Sequence, residues 1–583
     1  MKLAIQGCSH GELDAIYASL LRTEREQSLQ IDALLLCGDF QAIRNHADLH
    51  ALAVPQKYRQ LGDFHSYYSG EKVAPILTLV IGGNHEASNY MHELYHGGWL
   101  APNIYFLGAA GVVELNGLVV AGISGIYKGN DYRKGRFEML PYDASTIRSC
   151  YHTREFDVVR LKALKDEQVD IVLSHDWPNT IEQWGDTQAL IRKKPFFKDE
   201  IQTKTLGSPP LMELLQCLKP TFWFSAHLHV KFAALFHHDQ TASAAEPSTV
   251  VAPKTNANPE ALDIDLDSDV DDDAVPQSPP APSTSTNITT NSTLNNPGAT
   301  TRFLALHKCL PQTHFLQIID HPSPHDVQLE SRKSALNYTQ RIPPTLRYNK
   351  RWLATTRAYH PHFSLQYRQS DLPNPGSTSL SERIREEEEW IEQNLLSQAT
   401  TRNGGKRKQD ELDGSRACSP DKEGEEDDAG GLDVYRVQRF VRTAPAPFEP
   451  GGLSQAPPAW YTNPQTEAFC GFLGIENKIN PRPGFFPPTT SQMHAQQPFQ
   501  APYDVLQAAV DGQDLSGQHD QEETTDPNAL AIDMDDLDSD CADATTQAAD
   551  DNHTQHQPDE RQAVLTLSDD DDELNARWKE GTG

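Results

Sequence analysis

The sequence predicts an α/β fold over residues 1–237, followed by long stretches with little to fold. Three observations predict it. Short β-rich runs that are apolar on both alternating faces recur between longer amphipathic stretches, as expected of strands covered by other layers. Each run ends in glycine or polar residues. The charge is also segregated: of a net charge of −32, residues 1–237 carry only −3, with 23 Lys and Arg against 26 Asp and Glu.

In order, the runs are "KLAIQG", "DALLLCGD", "ILTLVIGGNHE", "GLVVAGISG", "DIVLSHDWP" and "TFWFSAHLHVKFAAL". Residues 238–300 then turn to Pro, Ser, Thr, Asn and Asp, too polar to offset the entropy of ordering, and are expected to be a disordered acidic linker. "TRFLALHKCLPQTHFLQII" (301–319) alternates like the strands of a hairpin, and "LRYNKRWLATTRAYHPHF" (346–363) reads as a basic, aromatic helix. With 10 basic against 3 acidic residues, 301–368 is expected to form a small C-terminal domain folded back onto the first. Residues 369–583 are expected to be a mostly disordered acidic tail. Within it, "ERIREEEEWIEQNLL" reads as an isolated charged helix, and "AFCGFLGIENKINPRPGFFPP" (468–488) as either a chance apolar cluster or a docking motif. "GGKRKQ" (404–409) is a weak match to a nuclear-import signal.

The acidic composition disfavours nucleic-acid binding by the chain as a whole, but its segregation leaves the first half able to bind a polyanion. Eight cysteines without paired spacing, and no leader pattern, point to reduced thiols in an intracellular protein. No apolar run approaches the ~20 residues needed to span a bilayer.

Chemistry-bearing residues stand at the ends of the runs: Cys8 and His10, Asp39, Asn84 with His85, His175, and His227 with His229. A single histidine after a strand is ordinarily structural. Together these segments would converge on the crevice at the carboxyl edges of parallel strands. In extended backbone, residues two apart face one side, which makes Cys8 with His10 and His227 with His229 chelating pairs. Seven donors (Cys8, His10, Asp39, Asn84, His175, His227 and His229) are too many for one tetrahedral ion. Two ions bridged by Asp39 would use them all. Such a pair deprotonates a trapped water and clamps a phosphate oxygen, so phosphate ester hydrolysis is the expected chemistry.

The series "C-S-H, GDF, GGNHE, SHD, SAHLH" resembles the "D-x-H, GD, GNHE, H, GHxH" order of calcineurin-like metallophosphoesterases. With Cys8 in place of the usual Asp and Ala226 in place of the usual Gly, it looks most like the RNA lariat debranching enzymes. The resemblance extends over 122–158, "TLGSPP" and 301–363. It implies a four-layer αββα sandwich, with 122–158 as the lariat-recognition insertion, and cleavage of the 2',5' linkage at the branch of excised intron lariats in the nucleus. One ion would take Cys8, His10, Asp39 and His229, the other Asp39, Asn84, His175 and His227. Because thiolate is softer than carboxylate, Fe(II) and Zn(II) are the expected pair, with Mn(II) able to substitute.

By the same resemblance His85 is the general acid for the leaving 2'-oxygen. Asp176 either orients a ligand or caps a helix beginning at "WPNTIEQW". Basic and aromatic residues interleave over 126–165, which suits phosphates and splayed bases. The resemblance makes Tyr127, Tyr132, Arg133, Lys134, Arg136, Tyr151, His152 and Arg154 candidates for RNA contact. The acidic tail would recruit basic RNA-processing partners, occlude the site when no RNA is bound, or do neither. A different metallophosphoesterase, such as a DNA-end nuclease or protein phosphatase, and a scaffold without catalysis remain the alternatives.

Overall fold

A computed structural model of the chain describes residues 1–238, 300–335, 343–397 and 430–482. Thirteen strands among these residues form two sheets. The first sheet has the order β12-β1-β2-β3-β5-β4, from β1 (Lys2–Gln6), β2 (Ala33–Leu36), β3 (Leu77–Val80), β4 (Gly98–Ala101), β5 (Ile104–Phe106) and β12 (Leu316–Asp320). The second runs β10-β11-β9-β8-β7-β6-β13. Its strands are β6 (Ala110–Leu115), β7 (Leu118–Ile123), β8 (Ile171–Ser174), β9 (Phe222–Ser225), β10 (Phe232–His237), β11 (Thr300–Ala305) and β13 (Leu346–Tyr348). Strands β1, β2, β3 and β5 are mutually parallel, as are β7, β8, β9 and β11.

Strand alternation explains why the sheets stack. Successive side chains leave a strand on opposite faces, and in the second sheet Phe222, Phe224, Ile171 and Leu173 join the core shared with the first sheet. Trp223 and Val172 point the other way, onto Leu161 and Leu214 of helices Glu155–Lys162 and Pro209–Leu218. Helix Leu13–Gln27 contributes Leu13, Ile16 and Leu20 to the core of the first sheet. Helix, sheet, sheet and helix give the expected sandwich, with two covered sheets where the strand runs alone suggested one.

The C-terminal part corrects the sequence reading most. Residues 301–319 are not a hairpin: β11 is a parallel neighbour of β9 in one sheet and β12 an antiparallel neighbour of β1 in the other. Both strands are apolar enough to enter an interior, and each found a different sheet. β13 then pairs with β6, so this segment is woven into the sandwich and is no separate appendage.

Nor does order end near 369. Helix Thr378–Ile391, expected to be isolated, buries Leu380, Ile384 and Ile391 and joins its Glu387 to Arg357 of helix Lys350–Tyr359 at 2.6 Å. The apolar island is mostly structural: helix Pro464–Leu473 and the turn after it bury Phe469, Cys470, Leu473 and Ile479. Its match was the chain's own surface. The linker from 239, the basic run at 404–409 and the tail from 483 onward lie outside the described residues. No described helix is long and apolar enough to cross a membrane. The described cysteines are free thiols.

Candidate metal centre

The donor residues follow the carboxyl ends of five parallel strands: β1 carries Cys8 and His10, β2 Asp39, β3 Asn84, β8 His175, and β9 His227 and His229. The crevice therefore lies between the two sheets. Four of the seven donors are not in extended backbone. His10, Asp39, His227 and His229 all have left-handed φ, at 47°, 47°, 63° and 47°, a conformation that costs a non-glycine residue energy and persists only where the surroundings enforce it. Cys8 and His10 still share one donor group, but not by strand alternation, and the expected pairing of His227 with His229 fails. Tight turns aim these side chains inward, and His227 and His229 go to different halves of the centre.

Ligand atoms of Cys8, His10, Asp39 and His229 all lie within 4.8 Å of one another. His10 Nε2 is 3.2 Å from His229 Nε2 and 3.6 Å from Asp39 Oδ2. The other carboxylate oxygen, Asp39 Oδ1, faces His175 Nε2 at 3.2 Å, and that nitrogen lies 3.1 Å from Asn84 Oδ1. The His175 and His227 rings are 5.0 Å apart. All seven predicted donors are thus brought together in two groups, and Asp39 presents one oxygen to each.

Neighbouring groups fix the donors. His175 Nδ1 donates to the Cys37 carbonyl at 2.7 Å, which turns Nε2 toward Asp39 and Asn84. The His227 amide donates to Cys8 Sγ at 3.2 Å, and the His85 amide to Asp39 Oδ1 at 2.9 Å. Two glycines are required by space. A Cβ on Gly38, where φ is +100°, would stand 2.5 Å from His175 Nδ1, and one on Gly83 would collide with the Asp39 carboxylate.

The electrostatics suit a cation. Burial alone would raise the Asp39 carboxyl, yet His175, His85 and His10 around it hold it well below the usual range. Burial, aided by His175, lowers His227 to about 3; burial and His10 lower His229 to about 2. Both imidazoles are therefore neutral and offer lone pairs. Burial and the Asp39 charge push the Cys8 thiol up, so ionising it as a ligand requires a compensating positive ion. A thiol, imidazoles facing one another through ring nitrogens and a two-sided carboxylate fit a pair of divalent metals.

His85 sits on the rim, half-buried, its ring 5.6 Å from that of His10. Sequence reasoning missed Glu86, although it completes the quoted "GGNHE". Its carboxylate accepts from the amides of Phe40 (2.7 Å), Gln41 (2.8 Å) and Gly83 (2.9 Å), joining the loops after β2 and β3; burial raises its pKa to about 7. It also missed His307, which stacks at 6.0 Å on His229 from the loop after β11.

Asp176 does neither thing expected of it. It accepts from the amides of Tyr127 (3.2 Å) and Trp177 (2.8 Å) and so anchors the start of the insertion; a short 3₁₀ turn forms only at Ile181–Trp184. Three proposed RNA contacts are internal. Arg136 bonds Asp157 and the Cys150 carbonyl, His152 bonds Asp131 at 2.6 Å, and Arg154 bonds Glu138 and the Asp131 and Ser149 carbonyls. All three are buried, and each is met by a carboxylate within the insertion or the helix after it. Lys134 pairs with Asp131 at 2.5 Å and lies over the Tyr367 ring. Tyr127 and Tyr132 meet edge to face at 5.6 Å, Tyr151 is half-buried, and Arg133 projects outward with its side chain 83% exposed.

Family models match both parts of this architecture. Residues 1–231 match the calcineurin-like phosphoesterases and residues 298–478 the lariat debranching enzyme C-terminal domain. The chain is 40% identical over 489 residues to a lariat debranching enzyme of Drosophila pseudoobscura pseudoobscura, covering 82% of this chain and 78% of that one. The chain belongs to the lariat debranching enzyme family. Its relative in Schizosaccharomyces pombe is 39% identical across 82% of this chain and 96% of its own length. The Homo sapiens family member is 46% identical over 61% of this chain, and the match spans 54% of that protein. Membership makes the chain a phosphoesterase of a metal-using superfamily, in agreement with the donor cluster.

Proposed function

We propose that this chain hydrolyses the 2',5'-phosphodiester bond at the branch point of intron lariat RNA, leaving a 2'-hydroxyl on the branch nucleotide and a 5'-phosphate on the released strand. The observation that carries this reading is the division of the centre around Asp39, whose Oδ2 faces His10 and Oδ1 faces His175. Cys8, His10, Asp39 and His229 would hold one ion; Asp39, Asn84, His175 and His227 would hold the other. Fe(II) and Zn(II) suit the thiolate-bearing set, and Mn(II) would substitute. When bound, such ions supply a nucleophilic hydroxide at neutral pH and neutralise charge on the phosphoryl oxygens.

The chain's own residues supply the rest. The Asp39 carboxylate fixes the spacing of the two donor groups. His85, on the rim, donates its proton to the 2'-oxygen as the phosphorus–oxygen bond breaks, while the new bond forms to the solvent oxygen in line with it. The insertion provides Tyr127, Tyr132, Arg133, Lys134 and Tyr151 toward RNA, with Arg136, His152 and Arg154 shaping it from inside. The expected compartment is the nucleus, where introns are excised, and the acidic tail would engage basic RNA-processing proteins.

The test compares a synthetic 2',5'-branched RNA with a linear 3',5' strand of the same sequence. Selective release of the branch supports the reading, and equal rates would replace it with a general nuclease.

A further inference from the structure

We infer that residues 438–480 act as a strap that positions the catalytic loops, with Thr443 as its principal positioning residue. The strap lies far from the donors in sequence, yet it grips the segments that carry Asp39 and Asn84–His85. Arg44, fully buried, chelates Asp48 through Nε and Nη2 at 2.8 and 3.0 Å and reaches Glu93 Oε1 through Nη1 at 2.8 Å. Asp48 belongs to the segment following Asp39. Glu93 ends the helix Ser88–Glu93 that follows Glu86. Arg44 thus ties the two loops together on the far side from Glu86, and its guanidinium lies 4.2 Å over the Tyr90 ring of that helix.

One guanidinium shared by two buried carboxylates leaves negative charge to be satisfied by neutral donors. The strap supplies them. Thr443 Oγ1 accepts from Arg44 Nη1 at 2.7 Å and donates to Glu93 Oε2 at 2.7 Å. Asn463 Nδ2 donates to the same oxygen at 3.2 Å, and the Glu93 carbonyl receives Thr466 Oγ1 at 2.5 Å and Asn480 Nδ2 at 3.1 Å. Tyr68 locks the strap in register, its hydroxyl taking the amides of Thr443 and Ala444 at 2.8 Å each. Farther along, Gln438 holds the Gly97 carbonyl, and Gln465 exchanges two hydrogen bonds with the Trp99 backbone. Four strap side chains therefore converge on Glu93, the end of the helix leading away from His85.

Removing the Thr443 hydroxyl takes a donor from Glu93 and an acceptor from Arg44 without opening a large cavity. Loosening between the two loops follows, and small misplacements of reacting groups cost rate steeply. The proposal rests on the hydrolytic reading of the centre, so its test uses two substrates, bis(4-nitrophenyl) phosphate and branched RNA, with Mn(II) and the full chain.

For Thr443→Val we expect kcat lowered on the order of 10-fold on both substrates with KM within about twofold, and Thr443→Ser restoring the rate. Amide exchange in the metal-free protein should accelerate in 40–48 and 83–93 and stay unchanged in β8 and β9. Asn463→Ser, which keeps a side-chain oxygen to cap the Gln465 amide and removes the single longer bond to Glu93, should show the same changes to a smaller degree and serves if Thr443→Val does not fold. Unchanged kcat, a serine variant no better than valine, or faster exchange throughout the sandwich would overturn the strap's positioning role. Wild-type protein that cleaves the aryl ester but not the branch would instead defeat the proposed RNA substrate while leaving the strap to be judged on the ester.

Discussion

His10 Nε2 lies 3.2 Å from His229 Nε2 across 219 positions of chain. Two imidazole nitrogens at this distance can share one proton or one cation, and only the second uses Cys8 and Asp39 beside them. Burial holds His229 neutral, so its lone pair is available. The strained turns that create the contact are the cost of assembling a metal site from residues on different sheets.

Exchanging the sulfur ligand should change which metal is kept. Cys8→Asp replaces a soft donor by a hard one and should move metal content from Zn and Fe(II) toward Mn(II). Metal analysis after purification and reloading from a defined mixture checks this. An unchanged metal ratio would mean that Cys8 is not a ligand.

His85→Ala should lower the rate of branch cleavage by about 10²–10⁴ with metal content unaltered. Single-turnover kinetics and metal counting on the same sample separate loss of proton donation from loss of the centre.

Stability should fall as pH drops below neutrality, through histidines outside the centre. Burial, with Arg136 nearby, lowers His92 to about 4, and burial with Arg160 lowers His96 to about 3. The folded chain keeps both neutral, whereas the unfolded chain protonates them below its ordinary value of 6.5. The unfolded state thus binds more protons, and stability is fully present above pH 6.5 and declines toward pH 4. Each group contributes up to about 1.4 kcal/mol per pH unit in that window. Denaturant titrations at pH 7.5 and 5.0 measure the fall, and His96→Phe, whose ring would keep the stack on Phe469, should reduce it.

Within the insertion, exposed and buried arginines should separate. Arg133→Ala should weaken RNA binding and lower its salt dependence by about one counterion, leaving the fold intact. Arg154→Ala strands Glu138 and should cost about 3–5 kcal/mol. Salt-dependent binding and melting curves distinguish the two.

The donor set was legible because each ligand ends a strand, and strand ends are marked by abrupt changes from apolar to polar residues such as "LLLCGD" and "IGGNHE". The turns themselves were not legible. Nothing in "AHLH" announces left-handed backbone at His227 and His229, which tertiary packing imposes. Basic composition over 126–165 was visible, but which charges face inward depends on partners such as Asp157 and Glu138, and pairing is a property of the folded insertion. Strands β11 and β12 were legible as strands, while their sheets were not, since a short apolar run carries no record of its neighbour; β13, at 346–348, was hidden at the head of a segment that reads as helix. The strap was hidden most deeply. Thr443, Asn463 and Thr466 are ordinary polar residues in a Pro-rich stretch until Glu93 gives them a partner.

Anomalous diffraction from crystals of the metal-loaded protein tests the central claim most directly. Two peaks flanking the Asp39 carboxylate are expected, one among Cys8, His10 and His229 and the other among Asn84, His175 and His227. A single peak, or metal bound away from Asp39, would contradict the two-ion centre.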